Sequence, residues 1–159
     1  MSSVFSQVPT MFSDRLPGDP KFNCAGYYGT KCATPAPTWR HKARLTWNTP
    51  WESLKLSAQW RYFASVTLDA YSADPQLNDP GLQAATDRTL GSRSYFDLSA
   101  SMRIKDSYTV RLGINNVLDK DPPLNGSNNC PTGPCNGNTW PQVYDALGRK
   151  IFVGLTANF

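Results

Sequence analysis

Apolar side chains recur at every second position in five stretches of this chain. Residues 39–47 set Trp39, His41, Ala43, Leu45 and Trp47 against Arg40, Lys42, Arg44 and Thr46. Residues 53–64 set Leu54, Leu56, Ala58, Trp60, Tyr62 and Ala64 against Ser53, Lys55, Ser57, Gln59 and Arg61. Phe96, Leu98, Ala100, Met102 and Ile104 then oppose Tyr95, Asp97, Ser99, Ser101 and Arg103, and Tyr108, Val110, Leu112 and Ile114 oppose Thr109, Arg111, Gly113 and Asn115. Residues 151–159 close the series with Ile151, Val153, Leu155, Ala157 and Phe159 opposite Phe152, Gly154, Thr156 and Asn158. A period of two puts successive side chains on opposite faces of a strand. A stretch of about ten such residues is long enough to cross a bilayer in a closed barrel, apolar towards lipid and polar towards the lumen.

A soluble half-buried strand has the same period, so the weight falls on the connections. Those at 48–52 and 105–107 are short, whereas those at about 14–38, 65–92 and 119–148 are long. Outer-membrane barrels alternate short periplasmic turns with long extracellular loops in this way. Residues 1–13 offer part of a sixth strand through Val4, Phe5, Val8, Met11 and Phe12, weakened by Pro9. Five or six strands cannot close a barrel, and an open edge in lipid leaves backbone donors and acceptors unpaired. The expected fold is therefore all-β, an antiparallel meander of five or six transmembrane strands forming the C-terminal segment of a larger barrel. On this division 1–38 hold the partial strand and an extracellular loop, and 39–159 hold the five strands with their loops.

Composition agrees with a wall rather than a soluble core. Charged residues make up 18% of the 159, aromatics 12%, and there are 13 Pro and 11 Gly to punctuate turns. No apolar run reaches the roughly 18 residues of a transmembrane helix. Mean hydropathy of −0.46 is compatible with a barrel, in which only alternate strand residues meet lipid. Cys24 and Cys32 fall in one Gly/Pro-rich segment and Cys130 and Cys135 in another. Of the three possible connectivities the local one is favoured, implying an oxidising compartment. A four-thiolate zinc site is the alternative, but neither pair has the short knuckle spacing. The first residues lack the basic start and apolar core of a secretory signal, so the expectation is a piece of something larger.

Specific words carry a resemblance. Cys24-Ala-Gly-Tyr-Tyr-Gly, Pro37-Thr-Trp-Arg-His-Lys-Ala-Arg-Leu-Thr-Trp47 and Trp60-Arg-Tyr62 resemble the late barrel region of TonB-dependent outer-membrane receptors. So do Arg111-Leu-Gly-Ile-Asn-Asn-Val-Leu-Asp-Lys-Asp-Pro-Pro123, Gly137-Asn-Thr-Trp-Pro-Gln-Val-Tyr-Asp-Ala-Leu-Gly-Arg149 and the terminal Phe159. The likeness spans roughly 14–159. Such receptors are barrels of about 22 strands around a plug. The resemblance implies import of siderophore, cobalamin, haem or oligosaccharide across the outer membrane of a Gram-negative bacterium, driven by TonB. The implied partners are lipid, the rest of the barrel and its plug, TonB acting through the plug, the barrel-assembly machinery and a small-molecule substrate. The plug, the TonB-contacting box and the early strands are absent from these residues. Phe159 would mark the strand read by the assembly machinery.

The bottom-up reading of sites is narrower. Charge facing lipid at the midplane costs about 2–4 kcal/mol per Arg or Lys, so Arg40, Lys42, Arg44, Lys55, Arg61, Arg103 and Arg111 are expected to face the lumen, with Asp97 the one acid among them. They form either a cationic wall for an anionic substrate or a solvated surface paired with plug acids. Trp39, Trp47, Trp51, Tyr62, Tyr108 and Phe159 suit the headgroup boundary. In the loops, Tyr27, Tyr28, Tyr71 and Trp140 are candidates for ligand contact. Asn115-Asn116, Asp119 and Tyr144-Asp145-Ala146-Leu147-Gly148-Arg149 read as turns, with Gly148 able to take positive φ. The Asp69, Asp74, Asp79 and Asp87 segment reads as a solvated loop without calcium-loop spacing. No nucleophile elbow, phosphate loop, cofactor site or nucleic-acid patch appears, so neither an enzyme nor a nucleic-acid binder is expected. Rival architectures are a small porin-type barrel and a secreted β-sandwich lectin.

Overall fold

A computed structural model describes residues 2–6, 22–51, 53–104, 107–126 and 129–157. Six strands form one antiparallel sheet: β1 (Ser2–Ser6), β3 (Arg40–Asn48), β4 (Leu54–Phe63), β7 (Arg93–Ile104), β8 (Tyr108–Asn115) and β9 (Lys150–Ala157), in the order β1-β3-β4-β7-β8-β9. The five alternating stretches are thus strands within one or two residues of their expected bounds, and the sixth is β1. The rest of the 1–13 segment, together with Phe159, lies outside the described residues.

Register turns the sequence alternation into two faces. Leu45 pairs with Ala58, Ala58 with Leu98, Leu98 with Ile114 and Ile114 with Ile151, so one apolar row crosses five strands. Its neighbours Trp47, Leu56, Ala100, Leu112 and Val153 make the next row. This face is uncovered: Leu45, Leu98, Leu112 and Val153 are all exposed. A β-sandwich would cover it with a second sheet; among the described residues none does.

The second sheet sits elsewhere. β2 (Tyr27–Tyr28), β5 (Val66–Leu68) and β6 (Thr89–Leu90) form three short strands, with β2 parallel to β5 and β5 antiparallel to β6. They belong to the long connections, which all leave the same end of the large sheet. At the other end β3 is followed closely by β4, and β7 by β8. The segment read as a solvated polar loop is instead a folded part of the molecule, with single-turn 3₁₀ helices at Asp69–Tyr71, Pro80–Leu82 and Ala85–Asp87. Its few apolar residues decide this. Val66, Leu68, Ala70 and Leu90 are buried with Tyr28, Tyr95, Trp140 and Tyr144 in a core that caps the sheet.

Buried carboxylates join the connections to one another. Asp69 accepts from the backbone N–H groups of Lys31 (2.8 Å) and Cys32 (2.9 Å). Asp87 accepts from the Gly126 N–H (2.8 Å) and Asn129 Nδ2 (3.2 Å), while its carbonyl accepts from the Tyr28 hydroxyl. Asp79 and Asp74 serve locally, accepting from the N–H of Gly81 and Gln76. The disulfides are Cys24–Cys32 and Cys130–Cys135, one in each flanking connection.

Candidate functional site on the polar face

Opposite the apolar rows, the polar face carries all seven basic residues singled out above. Counting from the capped end, its rows run Arg40–Phe63–Arg93, Lys42–Arg61–Tyr95 and Arg44–Gln59–Asp97. Nearer the short turns come Thr46–Ser57–Ser99–Gly113–Phe152 and Asn48–Lys55–Ser101–Arg111–Gly154, with Arg103 beyond. The basic residues therefore divide into an upper group (Arg40, Lys42, Arg44, Arg61) and a lower one (Lys55, Arg103, Arg111).

Arg61 organises the upper group. Its Nε and Nη2 meet both oxygens of Asp97 at 2.8 and 2.9 Å, and its Nη1 and Nη2 meet both oxygens of Asp145 at 2.9 and 2.6 Å. Two carboxylates thus take both edges of one guanidinium, which also lies 5.1 Å from the centre of the Tyr95 ring. The planar five-donor fork of arginine permits this; a lysine could not do it. Asp97 is further held by Gln59 Nε2 (2.9 Å) and the Asn116 N–H (2.9 Å), and Arg44 donates to Gln59 Oε1 at 2.7 Å. The expectation of one acid among the cations is corrected: Asp145 arrives from the last connection. Among the described residues no carboxylate pairs with Arg40, Lys42, Arg44, Lys55, Arg103 or Arg111.

The two sequence words meet here. Asn116, at φ 52°, bonds the Lys120 N–H and carbonyl with its amide (2.9 and 3.0 Å), fixing the chain as it leaves β8. Asp119 accepts from the Arg149 N–H at 2.8 Å, which holds its carboxyl below the usual range. Gly148 takes φ 66°, as its place in the turn predicts. Together these contacts place Asp145 over Arg61.

A cavity of about 470 Å³ opens between the wall and the segment 141–145, lined by Arg40, Lys42, Arg61, Phe63, Tyr144 and Asp145. A second, of about 250 Å³, also borders Arg61 and Asp145, with Lys42, Gln59, Asp97 and Lys150 in its lining. Tyr144 is buried and its hydroxyl has no hydrogen-bond partner among the described residues; burial pushes it up to about 12. On the apolar face, small Ala58 and Ala100 leave a depression between Leu45, Leu56, Leu98 and Leu112 that offers a ligand no charge.

The aromatic candidates separate by position. Tyr28 and Trp140 are fully buried, edge to face at 5.2 Å, and act as core rather than as ligand contacts. Rings of that size exclude water best at the centre of a cap. Tyr71 is half-buried beneath Arg88 at 5.1 Å, and Tyr27 is half-buried. Trp39, Trp47, Trp51 and Tyr108 are exposed near strand ends; His41 accepts from Trp39 Nε1 at 3.0 Å and packs against Trp60 on the apolar face. The sequence reading missed Asp145 as a partner of Arg61, a pairing 84 residues apart in the chain that no local spacing announces.

No protein-family model matches the chain, and no curated protein sequence does. Among solved structures it is similar to a mutant of the ferric enterobactin receptor PfeA of Pseudomonas aeruginosa, at 18% identity and a TM-score of 0.56. The alignment covers 77% of this chain and 16% of that receptor. At this identity the likeness is one of fold: an antiparallel all-β sheet of the kind found in that receptor.

Proposed function

We propose that this chain forms the C-terminal segment of the barrel of a TonB-dependent outer-membrane receptor, whose full-length form imports a scarce nutrient across the outer membrane. The observation that carries the reading is the two-faced sheet: uncovered apolar rows on one side, a charged and hydrogen-bonded face on the other, and the described parts of the long connections folded at one end. Lipid is the environment in which such an apolar face costs nothing, and a wet lumen is the one in which the opposite face is solvated. Among the described residues β1 and β9 each pair with a single strand, so further strands of the same barrel are the natural partners of both edges. The fold likeness to a siderophore receptor and the sequence words at Asn115–Lys120 and Tyr144–Arg149 support the same class. Plug, TonB and assembly machinery follow as partners from that class, and none of the described residues is assigned a catalytic role.

Fractionation of cells making the full-length protein tests this. The protein is expected in the outer membrane as a heat-modifiable band, and a soluble, periplasmic protein would overturn the reading. Changing Arg61 and Arg111 to Gln separates the wall from the substrate: altered uptake of an anionic nutrient is expected if the cations guide it.

A further inference from the structure

We infer that Asp145 is a built-in stand-in for a ligand carboxylate, and that an incoming carboxylate displaces it from Arg61 and frees the segment 141–149. The inference rests on the receptor reading only in taking the polar face to be open to solutes. Arg61 has two edges, and only one of them is anchored in the sheet. Asp97 lies on the neighbouring strand and is fixed by two further donors, Gln59 Nε2 and the Asn116 N–H. Asp145 instead sits in a connection, and among the described residues its carboxylate is held by Arg61 alone. The partner that leaves at least cost is therefore Asp145.

What replaces it is set by the fork. A guanidinium edge already occupied by a planar carboxylate presents two parallel N–H donors at carboxylate spacing. The 470 Å³ cavity on that edge adds Arg40 and Lys42, both exposed, which outnumber the acid they would meet once Asp145 has swung away. Tyr144 also lines it, but its hydroxyl is enclosed, so the cations set what binds. A compact polycarboxylate fits this set; a neutral sugar leaves the cations unanswered. Both cavities border the Arg61–Asp145 pair, so its opening would alter the two together. Binding on the wall would then be felt in the cap, since Asp145 lies next to Tyr144 of its core.

The test uses full-length protein purified in detergent, with citrate as probe and sorbitol and inorganic phosphate as controls. Calorimetry should show citrate binding that Asp145→Asn strengthens about tenfold by removing the internal competitor, and that Lys42→Gln weakens several-fold. Hydrogen exchange at the amides of 142–148 should rise on adding citrate, and should already be high in Asp145→Asn without it. Lys42 is exposed and Asp145 half-buried, and a heat-modifiable band confirms that each variant is folded. Citrate affinity unchanged in Asp145→Asn, exchange at 142–148 unmoved by citrate, or equal effects from sorbitol or phosphate would each overturn the inference. Failure of the receptor reading shows separately, as absence from the outer-membrane fraction.

Discussion

The ring of Phe152 lies across Gly113 on the polar face, where the two residues pair between β8 and β9. A Cβ at Gly113 would overlap the ring. The pairing explains an apolar residue on the polar face of the closing strand: the ring covers backbone that a glycine leaves bare. Gly113→Ala is expected to destabilise the folded protein by about 1–3 kcal/mol through overpacking. Adding Phe152→Ala should recover part of that loss, and denaturant midpoints of the folded band measure both.

Asp97→Asn should cost about 2–4 kcal/mol, because it leaves Arg61 with a single carboxylate in a half-buried setting and disturbs the clamp on Asn116. The same measurement on Asp145→Asn should show a clearly smaller loss, since that carboxylate comes from a connection rather than the sheet. Equal losses would show that both carboxylates are equally structural.

The two faces predict opposite answers to one substitution. Leu112→Arg places a charge on the apolar face, at a cost of about 2–4 kcal/mol in a bilayer. Ser99→Arg, one strand away on the polar face between uncharged Ser57 and Gly113, should cost clearly less. Folding yields in lipid vesicles distinguish them, and equal costs would mean that the apolar face does not meet hydrocarbon.

High pH should loosen the cap before the wall. The Tyr144 hydroxyl lies at about 12 in the fold, because burial disfavours the tyrosinate, against 10.0 in the unfolded chain. Tyr28 is raised in the same direction, chiefly by burial. The folded state thus holds these protons more tightly, so their contribution is full below pH 10.0 and is lost as pH rises towards 12. Amide exchange in the cap should accelerate across that window. In Tyr144→Phe the acceleration should be smaller, with little loss of stability at neutral pH because the hydroxyl has no partner to lose among the described residues.

Replacing Cys24 and Cys32 together by Ala should lower local cap stability by about 2–3 kcal/mol on the chain-entropy account, for a closed loop of this length. Exchange at Tyr27 and Tyr28 should rise while β7 and β8 stay protected.

The alternation of side chains determined the strands, their order of connection and which residues share a face. It could do so because a period of two is a local property, and a one-residue slip would exchange the two faces entirely. Local chemistry also placed the turn glycine at 148 and the two disulfides. Three things were decided only by tertiary structure. The polar segment 65–92 hid a core, because Val66, Leu68 and Leu90 find apolar partners only in other connections. Tyr28 and Trp140 became that core rather than a ligand surface, since nothing along the chain brings them together. Arg61 met Asp145 only when β8, the Asn116 clamp and the Asp119–Arg149 contact carried the last connection back over the sheet. Charge pairing over such a separation depends on where the chain returns, and that is a property of the packed fold.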